Sequence, residues 1–388
     1  MKKVIDTEKI PIKLWLEDIE EGAMKQVLNL ANLPFAFNHI AIMPDSHQGY
    51  GMPIGGVLAT EQVVVPNAVG VDIGCGMCAA KTPLKEIDTV TLKNIMGRIR
   101  KIIPVGFSHQ AERQDEDLMP NLDKDMIIVE QEYNSALKQL GTLGGGNHFI
   151  EIQKGSDGFI WIMVHSGSRN IGKQVADHYN KLAVKLNERW FSQVPKKWEL
   201  AFFPNDTAEY GLYLREMKYC VDFALANRKL MMSRIWNIFN GVVCDDIWKD
   251  ESPINIAHNY ASMEHHFGQN VLVHRKGATK AKLDQIGIIP GSQGTKSYIV
   301  KGKGNRESFE SCSHGAGRKM GRNQAVKNLN LAEEIKKLDD QGIIHGIRTE
   351  KDLDEASGAY KDINEVMKDQ EDLVEILIEL TPLAVIKG

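Results

Sequence analysis

The sequence predicts a mixed α+β fold built as one large domain, on three observations. Short apolar runs bounded by glycine and proline fill the first third of the chain. Segments with helical spacing of apolar residues follow, and strand-like runs return towards the C-terminus. Strands and helices are mixed without the regular alternation of a doubly wound sheet.

Taken in order, Ile40–Met43, Gly56–Ala59 and Ala68–Asp72 are apolar stretches between turn residues and read as strands. Thr91–Ile103 and Asp125–Leu140 carry apolar residues at helical spacing. Phe159–His165 reads as a buried strand running into a Ser-Gly-Ser-Arg-Asn-Ile-Gly loop. Two long helices are predicted at about 171–190 and 207–239. The second carries Tyr210, Tyr213, Leu214, Met217, Val221 and Leu225, a core-facing stripe. The helical stretch at about 171–250 is expected to be an insertion or subdomain between the halves of one site. Val271–His274 and Ser297–Val300 read as strands, a helix is predicted from near His314 to Leu329, and Leu383–Gly388 as a last strand.

The chain has 388 residues, 43% hydrophobic and 25% charged, an ordinary globular composition with ample core. A net charge of -4 gives no global attraction to nucleic acid, so any polyanion site must be a local basic patch. The five cysteines are an odd number and widely scattered, which argues against a disulfide framework and for a reducing compartment. Met1-Lys2-Lys3 is followed by Val-Ile-Asp-Thr-Glu rather than an apolar signal core, and apolar runs are too short to span a bilayer. A cytoplasmic location is expected.

The chemistry centres on Val71-Asp72-Ile73-Gly74-Cys75-Gly76-Met77, a carboxylate and a thiol three residues apart among glycines. A thiolate can bridge two metal ions and an aspartate can complete one shell. Of the twelve histidines, His39, His109, His178, His265, His266 and His345 need no special reading, since surface and satisfied core histidines are common. His148 in Gly144-Gly-Gly-Asn-His-Phe-Ile-Glu151, His165 at a strand end, His258 before Asn-Tyr and His314 in Ser311-Cys-Ser-His-Gly-Ala-Gly-Arg318 are different. Packing explains such positions poorly; metal ligation or an exposed ring explains them well. Together with Asp72 and Cys75 they offer the N, O and S donors that suit manganese or zinc.

Cys75 and Cys78 also form a C-x-x-C, open to a redox reading or to half a zinc knuckle. The flanking glycines and the lack of a second C-x-x-C weaken both, and Cys78 is read as a packed thiol. Glycine-serine loops at Gly144–Asn147, His165–Gly172, Pro290–Ser297 and Ser313–Arg318 carry backbone N–H groups, hydroxyls and cations, which favours a phosphate-rich ligand. None is a Walker A motif. His314, at the start of its predicted helix, would be kept neutral by the dipole and available as a nucleophile, with Arg318 one turn on to hold a phosphate.

Taken together, these motifs resemble the RtcB family of RNA ligases. The matching runs are Met43-Pro-Asp-Ser-His-Gln-Gly-Tyr-Gly-Met-Pro-Ile-Gly-Gly56, VDIGCGM, GGGNHFIE, VHSGSRNIG, AHNYA, HRKGAT, PGSQGTKSY, SHGAGR, Glu355-Ala-Ser-Gly-Ala-Tyr-Lys361 and the final Lys-Gly. They span about residues 40–388 in the same order. The resemblance implies a single domain of mixed β-sheets flanked by helices around a central metal cleft. It also implies joining of RNA 3′-phosphate or 2′,3′-cyclic phosphate ends to 5′-hydroxyl ends, with GTP and two manganese ions.

By the same resemblance Cys75 bridges the ions, His165 and His258 complete one shell, and Asp72 and His148 the other. His314 takes GMP. Asn147, Arg169 and Arg318 match positions near the phosphates or RNA ends, and Glu151, Ser297, Tyr360 and Lys387 match positions around the guanine. A carboxylate accepting from guanine N1 and N2 while a lysine donates to O6 would select GTP over ATP. An archease-type activator is a further partner that some relatives use. Two departures stand out: Ser357 occupies a place where the family run has proline, and the chain is somewhat shorter than typical members. The alternatives to ligation are a metal-dependent cyclic phosphodiesterase that never forms the guanylate, and a non-catalytic RNA-repair subunit.

Overall fold

The computed structural model describes residues 1–243 and 252–388. Cys244, one of the five cysteines, lies outside them, as does the end of the predicted 171–250 stretch. Two large sheets organise the chain. A six-stranded sheet runs Lys3–Ile5, Ile12–Leu14, Ala36–His47, Ile54–Thr60, Gln269–Lys276, Asn259–His266. A seven-stranded sheet runs Ile254–Ala257, Gly76–Lys81, Ile160–Ser166, Phe149–Gly155, Val374–Lys387, Ser297–Gly302, Ile286–Ile289. Every pairing within them is antiparallel except Ile12–Leu14 with Ala36–His47. This is the mixed α+β architecture the sequence predicts.

The seven-stranded sheet is covered on one face by the helices Thr89–Ile102 and Ala208–Val243. Ile95, Ile99, Met231, Ile235 and Phe239 from these helices share a core with Ile150, Ile162 and Val164 from the strands. Asp88 caps the first helix by accepting from the backbone N–H groups of Val90 and Thr91. The Ile127–Gln139, Arg169–Arg189 and Ala208–Val243 helices pack around Val129, Leu137, Val175, Tyr213 and Phe223 in a second core. Met43, Val57 and Val273 of the six-stranded sheet, with Trp15 just past its Ile12–Leu14 strand, meet Ile289, Tyr298 and Val300 of the other in a third. The two sheets thus share a core and can jointly wall a cleft.

Most predicted strands are present but longer, because apolar runs mark only their buried centres. Two elements differ in kind. Ala68–Asp72 is not a strand: Pro66–Ala68 forms a 3-10 turn, Gly70 has φ +93°, and the chain then turns up to Cys75. No helix starts at His314. Ser311–Ser313 is a short strand paired with Ala278–Lys280, and the next helix is only Arg322–Asn328. Gly317 accounts for the break, with φ +72° and a Cα so close to Asp45 that a Cβ would stand 2.1 Å from the Asp45 carbonyl oxygen.

Candidate functional site

Strand register assembles the candidate ligands at one end of the seven-stranded sheet. Gly76 faces Ala257 on one side and Ser166 on the other, while His165 faces both Met77 and Phe149. Phe149 in turn faces Lys387. Cys75, His148, His165 and His258 therefore emerge from four neighbouring strand ends, with Lys387 on the fifth. A slip of one residue would turn His165 to the opposite face. Two backbone hydrogen bonds fix the thiol's loop: Cys75 N–H donates to Asp72 O at 3.1 Å, and His258 N–H donates to Cys75 O at 2.8 Å.

The Cys75 sulfur lies 3.3 Å from His165 Nε2 and 3.4 Å from His148 Nε2. His148 Nε2 is also 3.1 Å from Asp72 Oδ2. Two donor groups result, Cys75–His165–His258 and Asp72–Cys75–His148, with each group's ligand atoms within 4.8 Å of one another. The sulfur belongs to both, and the N, O and S donors suit a borderline cation. His165 Nδ1 is held 3.1 Å from Asn147 O, a hydrogen bond that leaves Nε2 free to ligate. The rings continue as a ladder, His148 to His165 at 5.3 Å, His165 to His258 at 5.3 Å and His258 to His314 at 4.8 Å between centroids.

The electrostatics suit the same chemistry. Burial, with the nearby imidazoles, pushes His165 and His258 well below their ordinary range, so both rings are neutral and have lone pairs to offer. Burial raises the Asp72 carboxyl, but the hydrogen bond and charge of His148 outweigh this and keep it ionised. Burial, reinforced by the Asp72 charge, pushes the Cys75 thiol far up, so a cation bound there would displace a proton. A further group, Glu264, His266 and Glu310, lies away from this row. Glu264 there is already paired with Arg275 and Lys280, which neutralise it.

The donor row opens into a cleft of about 1030 Å³. Asn147, Glu151, His314, Arg318, Tyr360 and Lys387 line the same cleft as Asp72, Cys75, His148, His165 and His258. Burial pushes Glu151 up to about 8, partly offset by Lys387. Ser297 stands one layer behind the wall, its hydroxyl accepting from Gln153 Nε2 and from Gly291 N–H, both at 3.1 Å. Gln153 in turn donates to Glu151 at 2.7 Å, so Ser297 reaches Glu151 through a relay.

Arg169 also lies behind the wall, donating to Thr142 Oγ1 at 3.0 Å and Gly106 O at 2.8 Å. Its backbone has φ +61°, a strained setting for a non-glycine residue. Gly144 lets its guanidinium in, since a Cβ there would stand 2.1 Å from Arg169 Nη1 and 2.5 Å from His148 Nδ1.

Four further groups of the site carry no signal in their own residue type. Asp45 is fully buried, and its Oδ2 accepts from His314 Nδ1 at 2.6 Å, His314 N–H at 3.0 Å and Gly315 N–H at 3.2 Å. This carboxylate, not a helix dipole, controls the His314 ring. Glu355 gathers Arg318 at 3.1 Å, Arg322 at 3.1 Å, Lys387 at 3.8 Å and the Tyr360 hydroxyl. Lys276 lines the cleft with Nζ donating to Tyr50 O and Asn67 O, and burial pushes it down to about 7. Asn259 ties the two halves, donating to Asp72 O at 3.0 Å and accepting from Gly277 N–H at 2.7 Å. Sequence reasoning missed all four, although Asp45, Glu355, Lys276 and Asn259 fall inside the ordered motif runs, the one signal that could have found them.

The family model for RtcB, described as tRNA-splicing ligase RtcB, matches residues 26–127 and 112–388. The chain belongs to the RtcB family. It is 38% identical to the RNA-splicing ligase RtcB of Escherichia coli K12 over 412 residues, covering 100% of this chain and 99% of that one. It is 32% identical to the tRNA-splicing ligase RtcB of Nanoarchaeum equitans, over 98% of this chain and 95% of the relative. The tRNA-splicing ligase RtcB of Thermococcus kodakarensis is 31% identical over 95% and 92%. Among the described residues no helix is long and apolar enough to cross a membrane.

Proposed function

We propose that this chain joins RNA ends carrying a 3′-phosphate or 2′,3′-cyclic phosphate to 5′-hydroxyl ends, through GMP held covalently on His314. The observation that carries the reading is the shared cleft. A donor row with one sulfur in two groups runs directly into an imidazole whose Nδ1 is fixed by a buried carboxylate. The description of its relatives as RNA- and tRNA-splicing ligases agrees with it.

Asp72 and His148 on one side, and His165 and His258 on the other, with Cys75 between, fit two divalent cations; manganese is the expected metal. When bound, such cations supply charge neutralisation for the phosphates. Asp45 accepts a hydrogen bond from His314 Nδ1–H and leaves the Nε2 lone pair for the α-phosphorus of GTP. The N–P bond forms as the bond to pyrophosphate breaks. An RNA 3′-phosphate oxygen then attacks that phosphorus, the N–P bond breaks, and the RNA carries a diphosphate-linked guanosine.

The 5′-hydroxyl finally attacks the RNA 3′-phosphorus, losing its proton, and GMP leaves. A cyclic phosphate must first be hydrolysed by one water to the 3′-phosphate. Glu151 and Lys387 suit the donor and acceptor edge of guanine, and Arg318 suits a phosphate. A phosphodiesterase using the same cations would leave the His314–Asp45 pair without a task, which favours ligation.

Labelled GTP with manganese is expected to give a protein–GMP adduct that is acid-labile and alkali-stable, as a phosphoramidate is. Absence of label, or label retained in His314→Ala, overturns the nucleotidyl-transfer reading.

A further inference from the structure

Phe107 is wholly exposed, at 102%, the extreme among the large apolar side chains of the described residues. It stands in a turn that is not loose. Ser108 N–H donates to Val105 O at 3.1 Å, Leu143 N–H to Pro104 O at 2.9 Å, and Gly106 N–H to Gly144 O at 2.8 Å. Val105 and Gly144 form a parallel bridge, and the Arg169 guanidinium donates to Gly106 O at 2.8 Å. The glycine run that grips this turn continues into the cleft wall through Gly145, Asn147 and His148. Gly106 Cα lies only 3.6 Å from where a Cβ on Gly145 would stand.

The fold thus fixes the backbone that carries Phe107 and leaves its phenyl ring in water, one residue beyond the backing of the cleft wall. Burying such a ring is favourable, and the fold takes none of that gain. An exposed aromatic on a fixed turn beside a cleft read as binding phosphates has a natural occupant in a nucleobase. Every base has a π-face, so stacking is sequence-tolerant and suits a site that joins ends of unspecified sequence. Two cationic groups lie along the glycine run that grips the turn. Arg169 lies directly behind the turn, and Arg322 is half-exposed with its guanidinium against Gly146.

We infer that Phe107 is a stacking platform for a base of the single-stranded RNA whose terminal phosphate or hydroxyl enters the cleft. The inference rests on the RNA-joining reading above and adds to it a base contact outside the cleft. The residue binds and positions; it touches no reacting atom.

Phe107→Ala, Phe107→Tyr and Phe107→Trp test it. The Ala variant is expected to raise the KM for RNA about tenfold or more with little change in kcat, and Tyr to restore it. Adduct formation from GTP, which needs no RNA, reports folding and the integrity of the nucleotide site. In Phe107→Trp, a 3′-phosphorylated oligoribonucleotide is expected to quench the added fluorescence, and one with abasic terminal nucleotides is not. An unchanged KM in the Ala variant, or equal quenching by the abasic strand, overturns the inference. Failure of the wild-type chain to form any GMP adduct instead strikes the RNA-joining reading, while the quenching comparison still decides whether Phe107 stacks.

Discussion

Asparagine at position 45 removes one charge and almost no volume, so Asp45→Asn probes directly how His314 is prepared. Asp45 is fully buried, and its Oδ2 accepts three hydrogen bonds, the shortest from His314 Nδ1 at 2.6 Å. An amide oxygen can still accept from all three donors, so the backbone of the His314 loop keeps its support. What disappears is the full negative charge facing a ring that, in the proposed guanylylation, becomes positive as Nε2 bonds to phosphorus. A hydrogen bond to a charged partner is worth roughly 1.5–3 kcal/mol against roughly 0.5–1.5 for a neutral one. The difference, about 1–2 kcal/mol, slows guanylylation about 5- to 30-fold. Should the amide present its NH₂ to Nδ1, the ring proton moves to Nε2 and the loss grows to on the order of 10⁴.

The assay is single-turnover formation of the GMP adduct under saturating GTP and manganese, with far-UV circular dichroism to confirm the fold. Stability supplies a second readout. Burial raises the Asp45 carboxyl, but the charge and hydrogen bond of His314 outweigh it, leaving the group below its ordinary value. A depressed carboxyl contributes stability that is present above its unfolded pKa, about 4, and lost as pH falls through its folded value. The variant should therefore lose less stability than the wild type on acidification below pH 4. Wild-type guanylylation in a folded Asp45→Asn protein would refute the reasoning.

Other perturbations reach the remaining layers. Glu264→Ala strands the wholly buried Arg275 guanidinium, which Glu264 engages through both oxygens, and should cost about 3–5 kcal/mol in urea unfolding; a change under about 1 kcal/mol contradicts the pairing. Glu151 has a folded value of about 8, raised by burial, so its stabilising contribution is full below about pH 4.3 and lost as pH rises through 8. Glu151→Gln should accordingly gain thermal stability relative to the wild type between pH 6 and 9, and a constant difference across that range speaks against a buried neutral carboxyl. Cys75→Ala should keep its melting transition yet lose tight manganese binding in equilibrium dialysis, whereas two ions retained per chain would rule out the proposed bridging role of the sulfur.

Donor chemistry and local period were legible in the sequence. The strand Ile160–Ser166 opens with an unbroken apolar run to Val164, so the position of its histidine near the strand end follows from the residue pattern alone. The carboxylate and thiol around Gly74 and the glycine loops of His148 and His314 stand out by composition. Two elements misled for a shared reason. Ala68–Asp72 and His314–Leu329 contain enough apolar or helix-compatible residues to suggest regular structure, but Gly70 and Gly317 take positive φ and break it. Whether a glycine is a tolerated residue or a hinge depends on what its backbone must approach, and for Gly317 that neighbour is Asp45, far away in sequence.

The same distance explains the missed groups. A helix dipole is a local inference, available from sequence alone, and no helix starts at His314 to supply one. Control of that ring falls to a carboxylate 269 positions away, within reach only because Gly277 and Gly317 leave room around the loop. Glu355 follows this logic: no local pattern marks it, yet it holds Arg318, Arg322, Tyr360 and Lys387 on one side of the cleft. Groups that meet a ligand must carry distinctive chemistry and so can be read from residue type. Groups that aim them need only a common carboxylate in the right place, and that place is defined by pairing between strands that the sequence keeps apart.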